Sequence, residues 1–131
     1  MSTPAQPRKS PCASCPYRRS SPSGIWDASE YQKLPTYDGD TSEQATAAFF
    51  CHQGDNTVCA GWLGHTDPTH LLAVRLGVIA GTLDPACFDY RTAAELFASG
   101  EAAAAHGLRD ITRPNARARD AIDRISRKRD L

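Results

Sequence analysis

Four cysteines constrain this chain more than any other feature of its sequence. Cys12 and Cys15 form a Cys-x2-Cys pair flanked by two prolines, and Cys51 and Cys59 form a second, more widely spaced pair. A two-residue gap lets both sulfurs of a tight turn point at one ion, as structural zinc sites require. If Cys51 and Cys59 end the two arms of a small hairpin, their sulfurs can face the same turn. The sequence therefore predicts a four-cysteine metal site.

The identity of the metal is less constrained than its ligands. Four thiolates in tetrahedral array suit Zn²⁺ and form a closed site that contributes folding energy. The same thiolates suit a [4Fe–4S] or [2Fe–2S] cluster, and a Cys-Pro pair such as Cys15-Pro16 recurs in ferredoxin-type sequences. Zinc is favoured, an iron–sulfur cluster is the alternative, and a redox dithiol or disulfide is a third interpretation.

Length and composition favour a cytoplasmic protein of one domain. The 131 residues allow a modest core that a metal would help to stabilise. No apolar run approaches the ~18 residues that span a bilayer, and no apolar segment follows the basic N-terminal residues, as a secretory signal would require. Without export, disulfides should be rare, so the cysteines are better interpreted as metal ligands or redox groups.

The formal net charge of zero conceals basic ends and an acidic middle. Residues 1–23 carry four basic residues and no acid, residues 24–108 carry three against eleven acids, and residues 109–131 carry eight against four. The basic ends could contact nucleic acid, or they could pair with the acidic middle. A mixed-charge helix face is usually only solvated and salt-bridged. The candidate phosphate-binding residues of the last helix are Arg117, Arg124, Arg127 and Lys128.

Local signals predict a mainly helical single domain with a small irregular or β-hairpin metal-binding N-terminal half. Residues 1–10 should be a mobile lead-in, residues 11–110 the four-cysteine domain, and residues 111–131 a basic C-terminal helix. The predicted helices are Ala28–Leu34, Pro68–Ala80, Leu83–Tyr90, Thr92–Ala98, Glu101–His106 and Pro114–Lys128. We expect Ser99 to cap Glu101–His106 and Gly107 to end it.

The helix Pro68–Ala80 carries the clearest boundary signals, with Asp67 as N-cap and Gly81 after its last residue. Arg75 falls at the centre of a broad apolar arc on this helix. A buried guanidinium needs an anion or several acceptors, because it cannot lose its proton. We expect a carboxylate such as Asp27 or Asp55 to supply it. Alternatively, Arg75 offsets the charge of the metal site or holds a substrate anion. The arc comprises Leu71, Leu72, Val74, Leu76, Val78 and Ile79.

Other candidate residues are assigned supporting roles. His52 directly follows a candidate ligand, and neighbouring residues seldom both reach one ion, so we expect it to hydrogen-bond a sulfur or fix the turn. Trp62 could stack on a base or substrate, but it more naturally covers the metal site as core. Cys87 should pack as a small buried apolar residue. No Ser-His-Asp order, paired catalytic carboxylates or His-Glu-x2-His motif indicates an enzyme.

A family resemblance rests on Cys12-x2-Cys15-Pro16-x-Arg18, Pro22-x-Gly24, Cys51-His52 and Cys59-Ala60-Gly61-Trp62-Leu63, followed by Arg75-Leu76. From about residue 10 to about residue 110, the chain resembles a small family of uncharacterised four-cysteine proteins from actinobacteria and their phages. The resemblance implies that the four cysteines act as a set, and it implies no activity. The last helix lies outside it.

Two classes of function follow. The first is a binding module, in which the metal folds a helical domain and the basic ends or the Trp62 surface engage nucleic acid or a protein. The second is an iron–sulfur redox or sensor protein in which Arg18, His52 and Arg75 shape the site. The WhiB-like regulators also hold a [4Fe–4S] cluster with four cysteines, but in a different order along the chain. We favour the binding module, because no acid–base pair is convincingly placed and four cysteine ligands leave a zinc ion no open position for catalysis.

Overall fold

The computed structural model describes residues 3–50 and 56–129, with side chains as far as Arg127. This part of the chain is mainly helical, with one small sheet, as predicted. Its strands are β1 (Gln6–Pro7) and β2 (Thr57–Val58), and its helices are α1 (Ala28–Gln32), α2 (Ala60–Gly64), α3 (Leu72–Ala80), α4 (Gly100–Arg109) and α5 (Ala116–Arg129). Single 3₁₀ turns span Leu34–Tyr37, Thr41–Glu43, Pro68–His70 and Pro85–Asp89.

The first strand comes from the segment for which we predicted a mobile lead-in. β1 pairs in parallel with β2, with Gln6 opposite Thr57. The preceding Ala5 is 2% exposed, its N–H donates to the Thr82 carbonyl at 2.9 Å, and its own carbonyl accepts from the Asp84 N–H at 2.9 Å. These partners lie about 50 to 80 positions further along the chain. Local composition therefore carries no signal of this pairing.

The arms of the predicted hairpin lie side by side. Phe50 forms an antiparallel bridge with Val58, and the Cys59 N–H donates to the Phe49 carbonyl at 2.9 Å. Asn56 has φ of 59°, a left-handed conformation that Asn tolerates in turns. Cys51 and the four residues after it lie outside the described residues. β2 thus contacts both Phe50 and β1, and it carries Cys59 at its end.

The predicted helix over Pro68–Ala80 is divided at Leu71. Asp67 caps only the 3₁₀ turn, where its carboxylate accepts from the Thr69 N–H, and Leu71 is extended. The buried Gln44 side chain bridges the break: its amide donates to the His70 carbonyl, and its oxygen accepts from the Leu72 N–H at 2.9 Å. Gly81 ends α3 in the left-handed conformation, as predicted.

The predicted apolar arc of α3 is only partly buried, which corrects the expected core face. Val74 is fully buried, whereas Leu76 is 42% and Ile79 84% exposed. The buried residues of α3 are Ala73 and Val74, so the core contacts the side of the helix that carries these two residues. Residues of α3 and of the segment before residue 51 line a mainly apolar surface groove.

The predicted helix over Thr92–Ala98 is wrong. This segment is irregular, and its backbone bonds to the segment around Tyr17 instead: Arg19 N–H donates to the Glu95 carbonyl, and Phe97 N–H donates to the Tyr17 carbonyl at 2.8 Å. Arg18 and Leu96 form an antiparallel bridge. These long-range bonds satisfy the backbone groups that a local helix would otherwise pair.

Helix α4 packs a face of small residues against α1 and the 3₁₀ turn after it. Ser99 caps it as predicted, accepting from the Ala102 N–H at 3.1 Å. Gly107 does not close the helix, because it lies inside α4 against the Tyr31 ring, where a Cβ would overlap that ring. The small residues facing the core are Gly100, Ala103, Ala104 and Gly107.

Within the described ranges, no helix is both long and apolar enough to cross a membrane.

Candidate metal centre

The first two cysteines lie on a turn that the surrounding chain holds in place. The Cys15 N–H donates to the Cys12 carbonyl at 3.0 Å. The Trp26 indole N–H donates to the Ser14 carbonyl inside the turn at 2.8 Å, and Arg18 donates to the carbonyl of Pro11, just before it, also at 2.8 Å. Arg18 therefore braces the backbone on which Cys12 stands.

Cys59 reaches the same place from the other side, at the end of β2 and the start of α2. Its sulfur lies 3.7 Å from that of Cys15, and the two residues are 4% and 1% exposed. A disulfide bond measures about 2.05 Å, so these thiols are not bonded. Two thiolates bound to one tetrahedral ion at about 2.3 Å stand roughly 3.8 Å apart. The observed distance therefore suits two ligands of one ion.

Gly61, which sequence reasoning left without a role at this site, allows the close approach of these elements. A Cβ on Gly61 would overlap the Cys15 sulfur and crowd the Tyr17 side chain. The first turn of α2 is thus pressed directly against Cys15. The position of Gly61, two residues after Cys59, is the sequence signal that could have indicated this close approach.

The electrostatics at Cys15 favour a neutral thiol unless a cation is nearby. Contact with the Cys12 thiol lowers the pKa of Cys15, but the hydrogen bond with Cys59 and burial raise it by more. A thiolate is therefore costly here without an opposite charge. A metal ion would supply that charge, because thiolates rather than thiols are its ligands.

The described part of the chain contains three of the four predicted ligands. Cys51 and His52 lie outside it, so their places in the predicted site are not described. Among residues 3–50 and 56–129, no three His, Cys, Asp or Glu side chains are arranged to hold a metal ion. What the structure brings together is the close pair Cys15 and Cys59, with Cys12 in contact with Cys15.

Aromatic residues pack around the start of α2. Trp62 is 0% exposed and meets Tyr37 edge-on, with ring centroids 5.3 Å apart. Its indole is therefore inaccessible to a base or substrate in this conformation. Tyr17 stacks on His65 at 4.4 Å, and burial lowers the pKa of that imidazole. The cysteine pair thus borders an aromatic core.

Arg75 is half-buried on α3, where its guanidinium donates to the Thr41 hydroxyl at 3.1 Å. Of the two carboxylates we expected, Asp55 lies outside the described residues. In the part that the structure describes, the Arg75 Nε is buried without a hydrogen-bond partner.

The basic residues of α5 differ in their surroundings. Arg117 donates to the Ser20 carbonyl at 3.2 Å, and Arg124 pairs with Asp120 at 3.0 Å, so this ion pair lies within the helix. Arg127 is exposed, and the side chain of Lys128 lies outside the described part. Arg117 and Arg124 also line a cavity that reaches Cys12. The segment that we placed outside the four-cysteine domain is therefore adjacent to it.

Cys87 differs from the three candidate ligands in its surroundings. It is fully buried in the 3₁₀ turn Pro85–Asp89, and burial raises its pKa to about 11. It behaves as the small apolar core residue that we predicted.

The fold and the site define a small, mainly helical protein with converging buried cysteines. Residues 7–129 match the model of a family of unknown function, DUF6283, and the chain belongs to this family. The match extends through α5, beyond the resemblance seen in the sequence. Comparisons with curated proteins and with solved structures gave no match.

Proposed function

We propose that this is a small cytoplasmic metal-binding protein, in which Cys12, Cys15, Cys51 and Cys59 hold one Zn²⁺. The observation that carries the proposal is the 3.7 Å separation of the Cys15 and Cys59 sulfurs, which suits two ligands of one ion. These residues lie 44 positions apart in the chain, so their approach results from the fold. Cys12 contacts Cys15, and the other arm of the hairpin leads to Cys51.

The role of the metal in this proposal is to hold the domain in shape for a partner. The basic termini supply the surface, and the partner is nucleic acid or protein. We propose no catalytic residue, because a closed four-thiolate site leaves the metal no open position. The occurrence of the four-cysteine motif in actinobacteria and their phages is also part of the proposal.

The second candidate is an iron–sulfur redox or sensor protein. A [2Fe–2S] cluster also places two thiolates on one iron, so the short sulfur separation supports it as well. In a [4Fe–4S] cluster each thiolate binds a separate iron, and the sulfurs stand further apart than two ligands of one ion. The distance therefore favours zinc or a [2Fe–2S] cluster over the four-iron cluster.

The test is anaerobic purification followed by metal and sulfide analysis and a visible spectrum. We expect one zinc per chain and no colour. A brown protein with iron and sulfide would replace zinc with the second candidate. A colourless protein that neither retains zinc nor binds added zinc would refute the metal site. Partner capture with the metal-loaded protein would then test the binding role.

A further inference from the structure

A cavity of about 430 Å³ separates the Cys12 turn from α5. Its volume lies in the range of small-molecule sites. One wall is formed by the turn with Cys12, Ala13 and Ser14, and the opposite wall by α5. The cavity is thus built from segments about 100 positions apart, and neither wall forms it alone. The remaining lining residues are Arg8, Pro22, Arg117, Asp120, Ala121, Arg124 and Ile125.

The charge of this cavity is positive, with three guanidinium groups against one carboxylate. Arg8 and Arg117 each donate to a backbone carbonyl, of Ser10 and Ser20 respectively. Each guanidinium has five N–H donors in a planar fork, so one such bond uses only part of this capacity. Asp120 partly neutralises Arg124, at 3.0 Å.

The rest of the lining is apolar. Ala13 and Pro22 lie on one side, and Ala121 and Ile125 on the helix. An inorganic ion would leave these surfaces without a partner, whereas an organic anion would cover them. Guanidinium forks match phosphate oxygens in geometry, and a phosphate carries more charge than a carboxylate.

We propose that this cavity binds the phosphate group of a nucleotide, with Arg8, Arg117 and Arg124 on the phosphate and the apolar wall against the sugar. The nucleotide is either a free mononucleotide or the end of a single strand of nucleic acid, since both present the same group. The site goes beyond the proposed metal centre and depends on it only through the shape of the Cys12 turn.

The test is calorimetric titration of the full chain, at low salt, with adenosine 5′-monophosphate, adenosine and a short single-stranded oligonucleotide bearing a 5′-phosphate. We expect the monophosphate or the oligonucleotide to bind and adenosine not to bind. Equal affinity for the two phosphorylated probes would identify a free nucleotide as the ligand. Much tighter binding of the oligonucleotide would identify a strand end.

Substitutions on α5 distinguish the cavity from diffuse attraction. Arg117→Gln and Arg124→Gln should each weaken binding roughly tenfold or more, because each removes a charged hydrogen bond. Arg119→Gln is the matched control: the same charge is lost from the same exposed helix, but Arg119 does not line the cavity. Asp120→Asn should strengthen binding, because it frees Arg124 from its carboxylate.

The proposal is overturned if neither phosphorylated probe binds, or if Arg119→Gln weakens binding as much as Arg117→Gln does. Metal content and thermal unfolding are measured for every sample. If a sample keeps its metal and its folded state but does not bind the probe, the cavity proposal has failed. If a sample has lost its metal, the cysteine site has failed instead.

Discussion

The two parts of this molecule are stabilised in different ways. In the cysteine region, defined here as residues 3–98 without 51–55, no described helix exceeds nine residues and no strand exceeds two. In the helical region, residues 99–129, α4 and α5 span ten and fourteen residues. Isolated helices shorter than ~12–15 residues are marginal in water. The cysteine region therefore depends more heavily on tertiary contacts.

The nature of those contacts differs as well. In the cysteine region, side chains hold distant backbone groups, as Gln44 does at Leu72 and Trp26 does at Ser14. In the helical region, Ser99 caps its own helix, and the distant Asp38 carboxylate adds to this cap by accepting from the Gly100 and Glu101 N–H groups at 2.9 Å. A region assembled from short elements gains most from a metal, because each ligand ties together segments that do not fold separately. Four substitution experiments test this contrast, from the largest expected effect to the smallest.

The largest effect is expected from Cys59→Ser. If zinc binding supplies folding energy on the scale of about 10–16 kcal/mol seen for zinc-finger peptides, its loss exceeds the stability of most domains. We expect the variant to lose both bound metal and its cooperative unfolding transition, measured by metal analysis and thermal melting. Cys87→Ser is the control and should keep the metal. Full metal retention by the Cys59 variant would refute the prediction of a four-cysteine site.

A matched pair of glycine substitutions compares the two regions directly. A Cβ at Gly107 would overlap the Tyr31 ring, and one at Gly61 would overlap the Cys15 sulfur. Overpacking typically costs about 1–3 kcal/mol. We expect Gly107→Ala to lower the free energy of unfolding by that amount with metal content unchanged, and Gly61→Ala to reduce metal retention as well. Denaturant melts and metal analysis measure both, and equal metal contents would show that the cysteines tolerate the crowding.

Capping by a distant residue should matter more than capping by a neighbour. Gln44→Ala removes bonds to Gly39, His70 and Leu72 together, and leaving such groups unpaired costs about 1–3 kcal/mol. Ser99→Ala removes one cap bond, worth about 1 kcal/mol. Chemical denaturation should rank the two variants in that order. The reverse order would contradict the contrast drawn between the regions.

The smallest effect is a pH dependence from His65. Burial lowers the pKa of this imidazole below its ordinary 6.5, so as pH falls through 6.5 the unfolded chain takes up a proton that the folded chain does not. Stability should therefore be fully present above pH 6.5 and decline below it. His65→Gln should flatten this part of the profile, measured as the free energy of unfolding against pH. An unchanged slope would show that other groups set it.

Much of the helical region was predictable because its signals are local. Ser99 lies just before α4 and caps it. The cysteine region has a comparable local signal in Gly81, which ends α3 in the left-handed conformation. Even in the helical region, Gly107 was misplaced: it was interpreted as a helix end, whereas it makes room for Tyr31. Only the residue that packs against a glycine shows whether the glycine ends a helix or leaves space for an aromatic ring.

The sequence by itself determined the mainly helical class, the boundary residues of several helices and the identity of the candidate ligands, because these depend on residue types and short spacings. The tertiary structure alone decided which sulfurs meet, that Ala5 and β1 join the core, that Leu71 breaks a helix and that α5 faces Cys12. Each of these is a contact between segments far apart in the chain. Such contacts depend on how all the elements pack together, and no local pattern of residues records that.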